Sequence, residues 1–316
     1  MTVDTPCSIV PAMSDPSSCS PASAHPSQEH GARAVSWSAL AHLIRLPNQT
    51  GTLLLMLPTF WSLVLASHGK PSITLLAIFA AGSFLMRSAG VVLNDIADRS
   101  FDRQVARTQT RPLASGALRL PEAFITGGVL LVLAAGLLLF LNPLTMLLSP
   151  VALLLVAIYP FSKRILQLPQ AILGLAFGWG VIMAWAAVQN KLAAPAWLLY
   201  AATICWTVAY DSIYALQDRE DDLRIGVKSS TILFGSWIWL AVGISLGLML
   251  ILLGVTGWLT GLNVGFYGML ALIAGFSGQQ VVTLHKPLSP NQAFMLFKQH
   301  VWVGWGILAG IWLGFV

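Results

Sequence analysis

Long apolar runs alternate with short polar segments along this chain of 316 residues. We count nine predominantly apolar runs of about twenty residues each, at roughly 46–67, 73–95, 122–141, 143–161, 170–189, 197–216, 232–254, 264–284 and 298–316. A helix of that length crosses the ~30 Å hydrocarbon layer of a bilayer. Because lipid offers no partners to unpaired backbone groups, runs this continuous predict helices. The expected fold class is all-α: a polytopic membrane protein with a bundle of nine transmembrane helices.

The first 35 residues have a different composition. They combine many serines and alanines with prolines at positions 6, 11, 16, 21 and 26. Such a segment cannot bury enough apolar surface to become ordered, and it lacks the apolar stretch of a secretory signal peptide. We predict that residues 1–35 form a disordered cytoplasmic tail and that residues 36–316 form the transmembrane domain.

Basic residues predict the orientation in the membrane. With the N-terminus in the cytoplasm, the outer loops contain only Lys70 and Lys191, whereas the inner loops contain eleven Lys and Arg residues. The positive-inside rule favours this arrangement. We therefore expect a multi-pass protein of a bacterial inner membrane. The net charge of +5 is a sign of this orientation, and no nucleic-acid partner is expected.

Cysteine and histidine usage argues against several kinds of site. Two of the three cysteines lie in the tail and the third, Cys205, lies in a predicted span. The six histidines are scattered and include no i, i+4 pair. We expect neither a disulfide framework nor a zinc, iron–sulfur or haem site.

Acidic residues are concentrated in two places. Eight of the twelve fall in the stretches 94–102 and 211–222, each at the end of an apolar run. A charge near the bilayer centre costs at least ~2.5–3.5 kcal/mol. These carboxylates are therefore expected near the cytoplasmic interface or around a wet cavity, together with cations.

Helical spacing predicts that each stretch offers a column of oxygen ligands. At about 100° per residue, Asn94, Asp98 and Asp102 fall within about 80° of one another. Likewise, Asp211, Asp218 and Asp222 fall within about 40°. Oxygen ligands without His or Cys suit Mg²⁺, which keeps sites for water and phosphate. Two such columns face to face could bridge a pyrophosphate through Mg²⁺, which predicts a site facing the cytoplasm.

The alternative is that the acids are solvated helix ends in local ion pairs. We favour that interpretation for Asp95, Glu220 and Asp221, with Arg99 and Arg224 as their partners. It does not suit the residues in register, because like charges along one face repel unless a cation lies between them. Basic residues also follow each column and could neutralise pyrophosphate or simply reflect the topology. They are Arg103, Arg107 and Arg111 after the first column, and Arg224 and Lys228 after the second.

Four motifs in order resemble the UbiA-type membrane prenyltransferases over about residues 40–316. They are Asn94-Asp95-x-x-Asp98-x-x-x-Asp102, Arg111-Pro112-Leu113 with Ser115-Gly116, Tyr159-Pro160 with Lys163-Arg164 and Pro169-Gln170, and Tyr214 to Asp222 continuing to Gly226-Val227-Lys228-Ser229. Within that family the chain is most similar to the members that prenylate 4-hydroxybenzoate in ubiquinone biosynthesis.

The resemblance implies a nine-helix bundle whose central cavity opens sideways to the lipid bilayer. It further implies that Mg²⁺ and the pyrophosphate of a polyprenyl pyrophosphate are held by Asn94, Asp98, Asp102, Asp218 and Asp222. Candidate substrate-binding residues are Arg111, Tyr159, Lys163, Arg164 and Lys228. By the same likeness, Arg45 would pair with the carboxylate of 4-hydroxybenzoate, although the residues after it depart from the Asp-Lys-Pro often found in this subtype.

The reaction implied is Mg²⁺-dependent transfer of the polyprenyl group to the ring carbon ortho to the hydroxyl, with release of pyrophosphate. The metal-binding acids Asp98, Asp102, Asp218 and Asp222 would then be catalytic, and Asp211 is a hypothetical partner for the phenol or the leaving proton. Another acceptor, such as homogentisate, a naphthoate or haem, is the nearest alternative. A cation transporter and a non-catalytic scaffold are the alternatives from other classes.

Overall fold

The computed structural model describes residues 36–226 and 228–316, except the side chains of Lys163, Arg164 and Ile225. These ranges contain helices, turns and loops and no strand, which confirms the all-α fold class. The predicted tail, residues 1–35, lies outside the described residues.

Thirteen α-helices occur in the described part of the chain. In chain order they are α1 (Trp37–Leu43), α2 (Thr50–Ala66), α3 (Ile73–Ala97), α4 (Arg99–Asp102), α5 (Leu120–Leu138), α6 (Pro143–Ile165), α7 (Pro169–Gln189), α8 (Ala194–Ala215), α9 (Arg219–Ile225), α10 (Ser230–Phe234), α11 (Ile238–Leu259), α12 (Val264–Thr283) and α13 (Pro290–Leu313). Single 3₁₀ turns precede α9 and α11.

Each predicted apolar run coincides with one of the long helices. By length and composition, five helical segments can cross a membrane: Ile73–Ala97, Leu120–Leu138, Pro143–Ser162, Pro169–Gln189 and Ser230–Leu259. Helix α2 is apolar but has only 17 residues. A multi-pass helical protein is therefore confirmed, whereas the number of nine crossings stays a prediction.

Sequence signals account for several helix boundaries. Proline occupies one of the first two positions of α5, α6, α7, α8 and α13, where its missing N–H costs no helical hydrogen bond. The side chain of Asn142 accepts the backbone N–H of Thr145 at 2.9 Å and caps α6. Ser289 and Gln292 form a capping box at the start of α13, which satisfies two otherwise unpaired donors.

The interior is centred on aromatic residues of α2, α8 and α13. Trp61 and Trp206 are fully buried, with ring centroids 5.0 Å apart. The Trp61 indole donates to the Gly304 carbonyl at 2.9 Å, and the Trp206 indole donates to Nδ1 of His300 at 3.0 Å. These bonds satisfy polar groups that would otherwise be costly to bury. The outer faces of α5, α6 and α12 carry exposed apolar side chains, as expected for helices in contact with lipid.

The connections that carry the acidic stretches meet at one end of the bundle. The side chain of Arg224 donates to the carbonyl of Gln104 at 2.9 Å and thereby joins α9 to the α4–α5 connection. Lys228 donates to the carbonyl of Ile165 at 2.8 Å, which ties the α9–α10 connection to the end of α6. The two acidic stretches, more than 100 residues apart in sequence, are thereby brought together.

Candidate active site

A cavity of about 900 Å³ lies between α2, α3, α5, α6, α7, α8 and the start of α13. One end is polar, and the side chains there are Asn94, Asp95, Arg107, Arg111, Tyr159, Asp211, Tyr214 and Gln217. The rest of the wall is mostly apolar. The central cavity expected from the sequence is present, and residues from both acidic stretches line it.

The first acidic stretch is buried. Asp95 and Asp98 are each 1% exposed and Asp102 is 7% exposed, so each of these charges depends on compensation by its surroundings. Asn94 and Asp95 line the cavity, whereas Asp98 and Asp102 are not part of its wall. Helix α3 ends at Ala97 and a new short helix begins at Arg99. The Asp98 N–H nevertheless donates to the Asn94 carbonyl at 2.8 Å, and the Asp102 N–H donates to the Asp98 carbonyl at 2.8 Å. The three residues thus keep a spacing of about one helical turn across this junction, and their predicted role as one column of ligands stays a prediction.

Two arginines compensate the first stretch. The Asp95 carboxylate accepts hydrogen bonds from Nη2 of Arg45 at 2.8 and 2.9 Å and from Nη1 of Arg111 at 3.2 Å. The same Arg111 nitrogen donates to Asp102 at 2.9 and 3.1 Å. The predicted partner of Asp95 was Arg99, but Arg99 donates to the Leu113 carbonyl at 3.2 Å instead. Tertiary contacts prevail here over the local i, i+4 pair.

Arg45 has an unusual backbone conformation, with φ of 58°. Burial lowers the pKa of its guanidinium from the ordinary value, and the nearby Asp95 carboxylate opposes that effect. A group with so high an ordinary pKa stays charged at neutral pH. Arg45 lines the cavity, but its guanidinium is engaged by Asp95.

The second acidic stretch is held by Arg107. The Asp218 carboxylate accepts Nε of Arg107 at 2.8 Å and Nη2 at 2.5 Å, a bidentate pair. Arg107 also donates to the Tyr214 hydroxyl at 3.0 Å and lies 5.3 Å from the centre of that ring. Burial alone would lower the pKa of Arg107, but the hydrogen bond and charge of Asp218 outweigh burial and raise it. Arg107 and Arg111 thus link one short connection to both acidic stretches.

The other members of the second stretch separate. Asp211 lies on α8 and lines the main cavity. Asp222 lies on α9 beyond the 3₁₀ turn Leu216–Asp218, and it lines a smaller cavity of about 270 Å³ together with Lys228. The predicted column is wrong for this reason, since the 3₁₀ turn interrupts the helical register. As predicted, Asp221 pairs with Arg224, at 2.9 Å.

The oxygen donors fit a magnesium ion by their chemistry. Within residues 36–226 and 228–316, no three His, Cys, Asp or Glu side chains converge on a point where they could hold a metal. Mg²⁺ does not need such a cluster, because it commonly takes one or two protein carboxylates and completes its shell with water and phosphate oxygens. The donor set therefore suits a metal that binds together with a diphosphate.

Arg87 is a cavity residue that the sequence reasoning missed. It lies on α3, two helical turns before Asn94 and on the same face, about 10 Å deeper. Its guanidinium lies 5.7 Å from the centre of the Phe177 ring. Among the described side chains it has no ion-pair or hydrogen-bond partner. An arginine inside a predicted span was the available signal, since charges there usually mark a functional cavity.

Asp211 and Tyr159 line the same cavity as Arg87, close enough for its charge to act on both side chains. Asp211 is half-buried and forms no ion pair or hydrogen bond with the side chains that the structure describes. The cavity wall thus presents one cationic and one anionic group without direct partners. Such an arrangement can bind a ligand that carries both an anionic group and a hydrogen-bond donor.

The apolar part of the cavity runs along α3, α5, α6 and α7, and its deep end includes Phe79, Leu141 and Met183. Ala135 of α5 and Leu153 of α6 line the cavity and are exposed. The sideways opening of the cavity to lipid stays a prediction.

Residues 55–303 match the UbiA prenyltransferase family. The chain belongs to that family. It is 48% identical over 278 residues to the 4-hydroxybenzoate octaprenyltransferase of Tolumonas auensis, covering 88% of this chain and 96% of the relative. It is 45% identical over 282 residues to the enzyme of the same name from Serratia proteamaculans, with coverage of 88% and 96%.

Solved structures show the same fold. A UbiA homologue from Aeropyrum pernix K1 in its apo form superposes with a TM-score of 0.72 at 25% identity, over 84% of this chain and 98% of that one. A UbiA homologue from Archaeoglobus fulgidus bound to GPP and Mg²⁺ gives a TM-score of 0.64 at 16% identity, over 86% and 99% of the two chains.

Within this UbiA family member, the predicted site residues fall into three groups. Those on the main cavity wall are Asn94, Arg45, Arg111, Tyr159 and Asp211. Asp98, Asp102 and Asp218 are not part of the wall, and Asp102 and Asp218 are each bonded to an arginine that lines it. Asp222 and Lys228 line the smaller cavity. The side chains of Lys163 and Arg164 lie outside the described residues, and the roles predicted for all these residues stay predictions.

Proposed function

We propose that the chain transfers a polyprenyl group from polyprenyl pyrophosphate to 4-hydroxybenzoate, at the ring carbon ortho to the hydroxyl, and releases pyrophosphate. The reaction is a step of ubiquinone biosynthesis. The observation that carries this proposal is the 45–48% identity to 4-hydroxybenzoate octaprenyltransferases over nearly their whole length. The cavity, with an apolar channel and a polar end, supports it independently.

The polyprenyl chain occupies the apolar channel and leaves the bundle between α5 and α6. Its pyrophosphate lies at the polar end, where Arg107 and Arg111 line the wall. Of the predicted ligands, Asn94, Asp98, Asp102 and Asp218 would hold Mg²⁺ there, whereas Asp222 lines the smaller cavity. The bound metal supplies positive charge that stabilises the departing pyrophosphate. A homologue of the same fold from Archaeoglobus fulgidus binds GPP and Mg²⁺.

The aromatic acid binds between Arg87 and Asp211. The Arg87 guanidinium donates to the carboxylate, a charge-assisted pair that planar arginine forms well. The Asp211 carboxylate accepts a hydrogen bond from the phenolic hydroxyl, and Tyr159 packs beside the ring. From the sequence we expected Arg45 to bind the carboxylate of 4-hydroxybenzoate. We assign that role to Arg87 instead, because the Arg45 guanidinium is engaged with Asp95. In place of acceptor binding, Arg45 balances the charge of the first acidic stretch.

The chemistry follows from these positions. The C–O bond between the first prenyl carbon and pyrophosphate breaks, and its electron pair leaves with the pyrophosphate. Donors aimed at that group stabilise the developing charge. The ring carbon ortho to the hydroxyl attacks the allylic carbon and forms the new C–C bond. The ring then loses the proton from that carbon, and Asp211 is the carboxylate placed to accept it.

The site faces the cytoplasm of a bacterial inner membrane. Arg99, Arg103, Arg107, Arg111 and Arg119 all lie in the α3–α5 connection, at the end of the bundle that carries the acids. Such an excess of basic residues marks the cytoplasmic side.

Purified membranes with radiolabelled 4-hydroxybenzoate and an allylic pyrophosphate test the function. We expect a lipid-soluble labelled product that disappears with EDTA and returns with added Mg²⁺. Homogentisate and a naphthoate are the alternative acceptors, and preferential transfer to one of them would reassign the substrate. Ion flux across vesicles without any product would support a cation transporter instead and overturn the proposal.

A further inference from the structure

Arg87 lies directly against the backbone of α2 at Gly51. A Cβ atom built on Gly51 would lie 2.7 Å from both Nε and Nη2 of Arg87 and 3.1 Å from its Cζ. Contacts between non-bonded carbon atoms are optimal at about 3.5–4.0 Å. The guanidinium therefore keeps its present position only because residue 51 has no side chain.

The Arg87 guanidinium is held in place by the surfaces packed around it and not by hydrogen bonds or ion pairs. The Phe177 ring lies 5.7 Å away from it on α7, and Gly51 lies against it on α2. Across the part of the chain that the structure describes, no carboxylate or carbonyl holds its N–H groups. These donors remain available to a ligand in the cavity, and the backbone at Gly51 determines where they point.

We propose that Gly51 is a positioning residue that sets recognition of the acceptor's carboxylate by holding Arg87 in place. This inference rests on the proposed function, in which Arg87 binds that carboxylate. A larger residue at position 51 moves the guanidinium by roughly 1 Å, since 2.7 Å must become an ordinary contact. Bidentate guanidinium–carboxylate bonds depend on planar geometry at about 2.8 Å, so a shift of this size disrupts them.

The substitution Gly51→Ala is compatible with folding. The atoms that a Cβ would meet belong to the flexible end of Arg87 rather than to backbone. The φ angle of Gly51 is not in the left-handed region, and alanine favours a helix more than glycine does. The variant therefore changes the position of Arg87 without separating α2 from α3.

The test compares Gly51→Ala with Gly128→Ala in the full-length protein. Gly128 lies on α5, where an added Cβ meets nothing within 4 Å. For Gly51→Ala we expect KM for 4-hydroxybenzoate to rise roughly tenfold or more, the scale of one charged hydrogen bond, with KM for the polyprenyl pyrophosphate unchanged. The preference for 4-hydroxybenzoate over its neutral amide should fall by a similar factor. Gly128→Ala should resemble the wild type in all three readouts.

A double-mutant cycle with Arg87→Gln makes the test specific. If Gly51 acts through Arg87, Gly51→Ala adds nothing to Arg87→Gln, whereas independent effects would multiply. Should Gly51→Ala alone fail to fold, the double variant must fold, because its clash with the arginine is gone. Three results would each overturn the inference. They are an unchanged KM for the acceptor in Gly51→Ala, effects of the two substitutions on that KM that multiply, and a double variant that does not fold. A wild-type protein that does not prenylate 4-hydroxybenzoate would refute the proposed function itself.

Discussion

The substitution Asp95→Asn tests whether the arginines at the polar end are held by a buried charge. Asp95 is 1% exposed, and the side chains of its partners Arg45 and Arg111 are 28% and 19% exposed. Removing one partner of a buried ion pair costs about 3–5 kcal/mol. Here the loss is smaller, because both arginines reach solvent, asparagine still accepts a hydrogen bond, and Arg111 keeps its bonds to Asp102. We expect a loss of about 2–3 kcal/mol in the free energy of unfolding.

The matched control is Asp221→Asn. Its hydrogen bond with Arg224 is 2.9 Å long, close to the 2.8 Å of the Arg45–Asp95 pair, but the two side chains are 66% and 25% exposed. Exposed pairs contribute about 0–1 kcal/mol. Denaturant titration of both variants in mixed micelles measures the difference. Equal losses, or a loss below about 1 kcal/mol for Asp95→Asn, would show that burial does not govern this network.

Two further variants test packing and charge. Gly304→Ala should lower the free energy of unfolding by about 1–3 kcal/mol, because its Cβ would lie 2.9 Å from the buried Trp206 ring. The control Gly268→Ala should be neutral or stabilising, because a Cβ there meets nothing within 4 Å. Equal changes in the two variants would contradict the packing argument. Arg107→Gln frees the Asp218 carboxylate, so Mg²⁺ alone should raise the melting temperature of this variant more than that of the wild type. KM for polyprenyl pyrophosphate should increase. A melting temperature that responds to Mg²⁺ as in the wild type would contradict this pairing.

Much of the fold could be predicted from the sequence, because membrane-spanning helices are encoded locally. The run predicted at 143–161 begins where α6 begins, at Pro143. The last run was placed at 298–316, but α13 begins at Pro290. Its first turn contains the polar residues Asn291 and Gln292, so an apolar count misses this start. The capping box of Ser289 and Gln292 was a readable signal for that start.

The site was less predictable, because its geometry depends on where helices break. Asp211, Asp218 and Asp222 were placed on one helical face, yet the 3₁₀ turn Leu216–Asp218 separates α8 from α9. A local rule also assigned Arg99 to Asp95, and residues 50 and 16 positions away bind it instead. Tertiary packing decides which distant arginine contacts a given carboxylate. The helical period of the sequence does not predict such contacts.

The arginines of the α4–α5 connection explain how so many acids are accommodated at this end of the bundle. Arg107 joins Asp218 across 111 positions of sequence, and Arg111 joins Asp95 to Asp102. Both arginines also line the cavity. On the proposed function, a diphosphate that arrives with Mg²⁺ brings anionic oxygens for the arginines and a cation for the carboxylates. Arg107 and Arg111 can then pass from carboxylate to diphosphate without leaving a buried charge uncompensated, which is the condition that the low dielectric imposes.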